Sequence, residues 1–233
     1  MKLTIVLTVY NKEPFLRRAL DTLLSQDKVG HEDYEVLAVN DGSTDGSLGI
    51  LEDFAEKDSR VRILTQHNQG LSVARNNGVV AAKGDYVWFV DADDGVATFS
   101  VASIIEATSS QPDVIPVYAR TDGESNVRNK IPTTVKNGRD VLLSSGWNVC
   151  APFYIYKRTF LEVNNLHFVP GIYHEDTELT PRLLWYAKSV VVVPEVLYIV
   201  YRDPNSITQT PRLKRAYDYL YVSDSLYHFS CEN

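Results

Sequence analysis

The chain of 233 residues contains no run of about 18 or more apolar residues, the length a membrane-spanning helix requires. It has only two cysteines, Cys150 and Cys231, far apart in sequence. That excludes a disulfide framework and the paired spacings of a zinc site, and predicts two free thiols in a reducing compartment. Positive charge is in deficit, with 23 Lys and Arg against 30 Asp and Glu and a formal net charge of −7. Nucleic acid requires a basic footprint and is therefore excluded as the main partner. A small phosphorylated ligand is not excluded, because a few local groups and a metal can match its charge. There is no internal repeat and no low-complexity tract. The apolar stretch that follows Met1-Lys2 is too short for a signal core and has no small-residue cleavage site. Together these absences predict a cytoplasmic protein, and they remain compatible with peripheral contact at the inner face of the membrane through the C-terminal region.

Hydrophobic residues make up 44% of the chain, enough for a substantial core. The first hundred or so residues alternate strand with helix. Leu3-Thr4-Ile5-Val6-Leu7-Thr8-Val9 reads as a buried strand. Asn11 is placed to cap a helix in which Phe15, Leu16, Ala19, Leu20, Leu23 and Leu24 recur at helical spacing. A second strand is expected at residues 34–39, a helix through Leu48, Leu51, Phe54 and Ala55, and a short strand at residues 61–64. Residues 71–82 read as a helix that Gly84 stops in a left-handed conformation, and residues 86–90 as a fully apolar strand. The second half is less regular. Residues 119–136 read as a loop or hairpin, 140–144 as a short helix and 151–156 as a strand. A helix around residues 179–187 requires Pro181 in its first turn. Residues 190–193 and 196–201 read as two closing strands, and residues 212–229 as a tyrosine-rich helix.

Strands alternating with helices imply an α/β fold, a mainly parallel sheet covered on both faces. Ligands bind such sheets beyond the carboxyl ends of the strands. That rule selects Tyr10-Asn11, Asn40-Asp41 and Asp91-Ala92-Asp93-Asp94. Carboxylates at a strand end need pairing or a cation. Magnesium or manganese takes one or two protein carboxylates and completes its shell with water and phosphate oxygens. Asp41-Gly42-Ser43-Thr44-Asp45 is good turn chemistry as well as a candidate ligand loop. Arg75 has the geometry either to brace Asp41 or Asp91 or to face phosphate. Glu175 and Asp176 stand at a loop-to-helix junction, as capping groups or as a general base.

Taken together, Thr8-Val9-Tyr10-Asn11, Asn40 to Asp45, Asn68-Gln69-Gly70 through Gly78, Asp91 to Asp94 and Glu175-Asp176 resemble the motifs of the family 2 glycosyltransferases of bacterial polysaccharide or capsule type. Leu197-Tyr198-Ile199-Val200-Tyr201-Arg202 with Asn205-Ser206-Ile207 resembles the family's closing strand and polar tail. The resemblance covers about residues 3–208. It implies the GT-A fold, with a Rossmann-like, mostly parallel central sheet flanked by helices. It also implies a nucleotide-binding part at about residues 1–118, an acceptor-side part at about 119–208, and a C-terminal helical segment at 209–233 that many relatives extend.

The same resemblance implies inverting transfer from a nucleotide-diphosphate sugar, with UDP the expected nucleotide and GDP or dTDP the alternatives, to a carbohydrate or lipid-linked sugar acceptor, assisted by Mn2+ or Mg2+. Thr8, Tyr10, Asn11, Asp41, Arg75, Asp91 and Arg202 would contact the nucleotide. Asp93, with Asp91, would hold the metal. Asp176 would be the base, supported by Glu175. Two rival readings are a sugar nucleotidyltransferase and a non-catalytic carbohydrate-binding relative. The first calls for a glycine- and basic-rich triphosphate loop after the first strand, which Thr8 to Glu13 does not provide. The second is at odds with the presence of Asp41, Asp91, Asp93 and Asp176.

Overall fold

A computed structural model describes residues 1–202 and 213–233. The expected tail Asn205-Ser206-Ile207 and the 208/209 boundary lie outside the described residues. In chain order the elements of the first half are β1 (Leu3–Val9), α1 (Glu13–Leu24), β2 (Tyr34–Asp41), α2 (Ser47–Lys57), β3 (Val61–Gln66), α3 (Leu71–Ala81), β4 (Tyr86–Asp91), β5 (Gly95–Val96) and α4 (Ser100–Ala107). There follow β6 (Val114–Thr121), β7 (Val127–Arg128), α5 (Gly138–Leu143), β8 (Tyr154–Lys157), α6 (Arg158–Val163), α7 (Glu175–Tyr186), β9 (Val193–Val200) and α8 (Leu213–Glu232).

Every residue of β1 is buried. It pairs in parallel with β2 on one side and β4 on the other, and β3 extends the parallel set beyond β2. A strand covered on both faces has no reason to alternate polar and apolar residues, which explains the continuous apolar runs of β1 and β4. In α1, Leu16, Ala19, Leu20 and Leu23 form the buried stripe. The full order is β3-β2-β1-β4-β8-β6-β9-β5, with β7 paired to β6. The parallel arrangement therefore holds for the first four strands. Beyond β4 the sheet is mixed, because β8 runs antiparallel to both β4 and β6 while β9 runs parallel to β6. The expected boundary at residue 118 falls inside β6, so the two parts share one sheet.

Four local expectations are corrected. Asn11 does not cap α1: its φ is 51° and its side chain is turned to another loop. Gly84 is not among the left-handed glycines. Close approach explains it instead, since a Cβ there would stand 2.5 Å from the Thr4 nitrogen and 2.6 Å from the Leu3 carbonyl carbon. Gly84→Ala should therefore push β1 aside and cost about 1–3 kcal/mol, the usual range for overpacking. Denaturant unfolding with an unchanged midpoint would contradict that contact. Pro181 sits inside α7 rather than in its first turn. The helix tolerates the lost backbone bond because Leu179, Thr180, Leu183 and Leu184 around it are buried. Finally, the two closing strands are one strand, β9, and Val190 contributes only an isolated bridge to Val114. The region read as a loop or hairpin is the β6–β7 hairpin with its return.

Candidate active site

The register aligns the carboxyl ends of the first strands, with Val9 opposite Asn40 and Thr8 opposite Asp91. The loop after β2 is laced to the start of α1. Asn11 Oδ1 accepts from the Thr44 amide at 2.8 Å, and Ser43 Oγ accepts from the Asn11 amide at 3.1 Å. Ser47 Oγ accepts from the Lys12 amide at 2.9 Å, and Asp45 Oδ2 accepts from the Glu13 amide at 3.1 Å. Asp45, from a different loop, thus does for α1 what Asn11 was expected to do.

Asp41 is buried. Its Oδ1 accepts from Gln66 Nε2 and the Gln69 amide, and its Oδ2 from the Gly70 amide, all at 2.8 Å. A carboxylate offers about four acceptor positions, so one remains for a ligand. Asp41 is at once the anchor that ties β2 to the start of α3 and a group on the cavity wall.

That cavity, of about 600 Å³, is lined by Thr8, Tyr10, Lys12, Asp41, Asp91 and Asp93 among others. A second, of about 560 Å³, is lined by Arg75, Cys150, Glu175, Asp176, Lys214 and Arg215. The two share Gly70, Leu71, Asp91 and Tyr173. Of the expected site residues, Asn11 and Arg202 line neither. Asn11 is engaged by the Thr44 turn, and Arg202 is an exposed residue paired with Glu124.

Arg75 lines the second cavity and binds Asp91, which borders both. Its side chain is 3% exposed; Nη1 donates to Glu175 Oε1 at 2.9 Å and Nη2 to Asp91 Oδ1 at 3.1 Å. Phe168 and Phe89 lie 5.2 and 5.9 Å from the guanidinium. Burial alone would lower its pKa, but the carboxylates of Asp91 and Glu175 more than offset this and keep it charged. Of the two geometries the sequence allows for Arg75, the structure has the brace.

Glu175 and Asp176 open α7. The cap position is held by His174, left-handed at φ 64° and without a side-chain cap bond. Asp176 is therefore not the cap; its Oδ1 accepts from the adjacent Thr177 amide, at 2.8 Å. Burial pushes both carboxyl groups above their ordinary values, and the charge of Arg75 offsets part of the effect.

Asp94 has a different task. Its Oδ2 accepts from the Tyr198 hydroxyl at 2.7 Å and its Oδ1 from the Tyr201 amide at 2.9 Å. The Tyr198 oxygen in turn accepts from the Asp91 amide at 3.2 Å. Burial, then the charge of Asp91, push the Asp94 carboxyl up to about 7. This clasp fixes the 91–94 loop and leaves Asp91 and Asp93 facing the cavity.

The chemistry of that donor set suits a hard divalent cation. Asp91 and Asp93 offer oxygen ligands from one loop. Among the described residues no group of three His, Cys, Asp or Glu could hold a metal. A cation here would draw on one or two carboxylates plus water and phosphate, the habit of magnesium and manganese. Lys12 Nζ already donates to Asp93 Oδ2, so a positive charge is accommodated at that oxygen.

Sequence reasoning missed Lys12, Tyr173, Cys150, Lys214 and Arg215. Lys12 carried a usable signal, because it stands beside Asn11 at the edge where ligands bind. Lys214 and Arg215 carried none, because α8 reaches the site only through tertiary packing. The Tyr173 amide donates to Asp218 Oδ2 at 2.7 Å, and the Tyr219 ring lies 5.1 Å from that of His174. Cys150 and Cys231 are both free, and burial pushes the Cys150 thiol well above its ordinary value.

A curled mixed sheet with acidic loops at its carboxyl edge, facing a half-buried carboxylate pair, defines the GT-A class of glycosyltransferase folds. Its likeness to S. aureus TarS in complex with UDP-GlcNAc supports that assignment, with a TM-score of 0.79 at 20% identity over 99% of this chain and 73% of that one. A mannosyltransferase of Pyrobaculum calidifontis, in complex with GDP-Man and Mn2+, matches at a TM-score of 0.66 and 17% identity, over 100% of this chain and 64% of that one. Within the class, glycosyl transferase family 2 matches residues 4–171, and the chain belongs to that family. It is 34% identical over 224 residues to the uncharacterised glycosyltransferase EpsJ of Bacillus subtilis, covering 89% of this chain and 63% of that protein. It is 33% identical over 226 residues to the uncharacterised glycosyltransferase YibD of Escherichia coli, covering 91% and 64%. The chain thus spans just under two thirds of the length of these curated relatives. Among the described residues no helix is long and apolar enough to cross a membrane.

Proposed function

We propose that the protein transfers a hexosyl or N-acetylhexosaminyl group, with inversion, from a UDP-sugar to the hydroxyl of a carbohydrate or lipid-linked acceptor during synthesis of a cell-surface polysaccharide. The observation that carries this reading is the pair of cavities meeting at Asp91, with acidic nucleotide-side loops in one and Asp176 in the other. The UDP-GlcNAc complex of TarS supports the choice of nucleotide. A poly(ribitol-phosphate) beta-glucosyltransferase of Bacillus spizizenii, 29% identical over 87% of this chain and 33% of that protein, supports the choice of pathway.

In this reading residues 1–118 bind the nucleotide and residues 119–208 the acceptor. Asp41 accepts from the base at its remaining acceptor position, beside Tyr10 and Thr8. Asp93, with Asp91, holds Mn2+ or Mg2+, which when bound neutralises charge on the leaving diphosphate. Asp176 takes the proton of the acceptor hydroxyl as its oxygen bonds to the anomeric carbon and the bond to the diphosphate oxygen breaks. Glu175 is committed to Arg75, which leaves Asp176 as the carboxylate with the lighter engagement. The tyrosine-rich face of α8, where Tyr217, Leu220 and Tyr221 are exposed, supports a peripheral membrane contact of a cytoplasmic enzyme.

Screening a panel of nucleotide sugars for release of free nucleotide tests the reading. UDP release from one sugar, dependent on Mn2+ and accelerated by acceptor, is the expected result. No release from any donor would favour a non-catalytic relative. The pH profile is a further check. A base must be deprotonated, so kcat/KM should rise with pH through a value above the ordinary 3.8 of an aspartate, because burial raises the Asp176 carboxyl. Glu175 and Asp176 interact, so the apparent value belongs to the pair. An acid limb below 3.8 would contradict the assignment.

A further inference from the structure

The nucleotide-side cavity holds a cation of its own that the proposed reaction does not use. Lys12 Nζ donates to Asp93 Oδ2, and both side chains are about a quarter exposed, at 28% and 21%. The backbones on either side of this pair are fixed independently of it. The Lys12 amide donates to Ser47 Oγ, and the Lys12 carbonyl accepts from the amides of Phe15 and Leu16 at 3.0 Å. The Asp93 carbonyl accepts from Arg18 Nη2 at 2.6 Å, and the Arg18 guanidinium is stacked 3.7 Å over the Tyr201 ring. The neighbouring Asp94 is clasped by Tyr198 and Tyr201. The ammonium can therefore leave the carboxylate by rotation of its own flexible stem, with no movement of either loop.

We propose that Lys12 is the exchangeable counter-ion of Asp93: it pairs with the carboxylate when no donor is bound and passes to the donor diphosphate when a divalent cation takes its place. The inference rests on the assignment of Asp93 as a metal ligand. It follows from charge. An ammonium and a divalent cation held on one carboxylate repel each other, so the lysine lowers affinity for metal alone. The arriving diphosphate offers the displaced ammonium new oxygens within the same cavity. Metal and nucleotide then bind with positive coupling, and the coupling is reciprocal. Lys12 is a positioning residue for the metal carboxylate and a direct contact of the diphosphate.

The test is a titration of free Mn2+ by electron paramagnetic resonance, with and without UDP, on the wild type and on Lys12→Gln, Lys12→Arg, Arg17→Gln and Asp93→Asn. Lys12→Gln should bind Mn2+ alone at least about threefold more tightly, within the roughly fivefold that an exposed-to-half-buried ion pair of about 1 kcal/mol represents. It should bind UDP more weakly at saturating Mn2+. Lys12→Arg keeps the charge and should behave as wild type. Arg17→Gln removes the same charge from an exposed partner of Asp53 and should change neither affinity. Unchanged or weaker Mn2+ binding in Lys12→Gln, unchanged UDP binding in it, or equal effects in Arg17→Gln would each overturn the proposal. Failure of the metal assignment reads differently: Asp93→Asn would then bind Mn2+ and UDP as the wild type does.

Discussion

Asp176→Asn should bind UDP and Mn2+ as the wild type does, yet transfer sugar to acceptor at least about 100-fold more slowly, within the range of about 10²–10⁴ that a general base contributes. The geometry makes this a clean substitution. The cap of α7 is His174, and the bond that Asp176 accepts from the Thr177 amide goes to an oxygen that asparagine retains. The melting temperature should therefore stay put. Glu175→Gln should behave in the opposite way. It removes one of the two carboxylates that balance a buried guanidinium, so stability should fall while the transfer rate changes less. Measuring rate and melting on both variants separates the roles. A near-normal rate in Asp176→Asn would remove it from the chemistry, and a large rate loss in Glu175→Gln without loss of stability would exchange the two assignments.

Asp93→Asn should lower donor turnover by two or more orders of magnitude and abolish Mn2+ binding while leaving the fold intact. The pair with Lys12 lies near the surface, where such pairs contribute about 0–1 kcal/mol, so little stability is at stake. What changes is the loss of a negative oxygen at which a hard cation would exchange water for protein. Full activity of this variant in the presence of EDTA would exclude a metal role for Asp93.

The parts legible in the sequence are those in which local pattern and tertiary burial ask for the same residues. β1 and β4 are continuous apolar runs because both of their faces are covered, and the rule that ligands bind past strand ends then pointed at Asp41, Asp91 and Asp93. Elsewhere the determinants are non-local. Nothing in residues 9–13 reveals that Asp45, from the next loop, serves the start of α1. Gly84 resembles a helix stop in sequence, but the backbone of β1 dictates it. Pro181 argues against a helix interior, and burial on both sides of it overrules that preference. β5 has two residues and α6 six, too few to show a period. Arg75 left two geometries open because its partners, Asp91 and Glu175, come from different halves of the chain.

The Asp94 clasp also bears on the order in which the molecule is built. Its two donors, Tyr198 and the Tyr201 amide, come from the last strand of the sheet and the residue just past it. That strand, β9, also pairs with Gly95 and Val96, a closure spanning about a hundred residues of chain. Contacts so distant in sequence form only after the loop entropy between them has been overcome, so they come late in folding. A chain emerging from the ribosome can pair β1, β2, β3 and β4 as soon as β4 is made. Its acidic loop stays without its fastening until β9 arrives, so the first part of the protein to fold is also the part whose cavity-facing carboxylates are the last to be set.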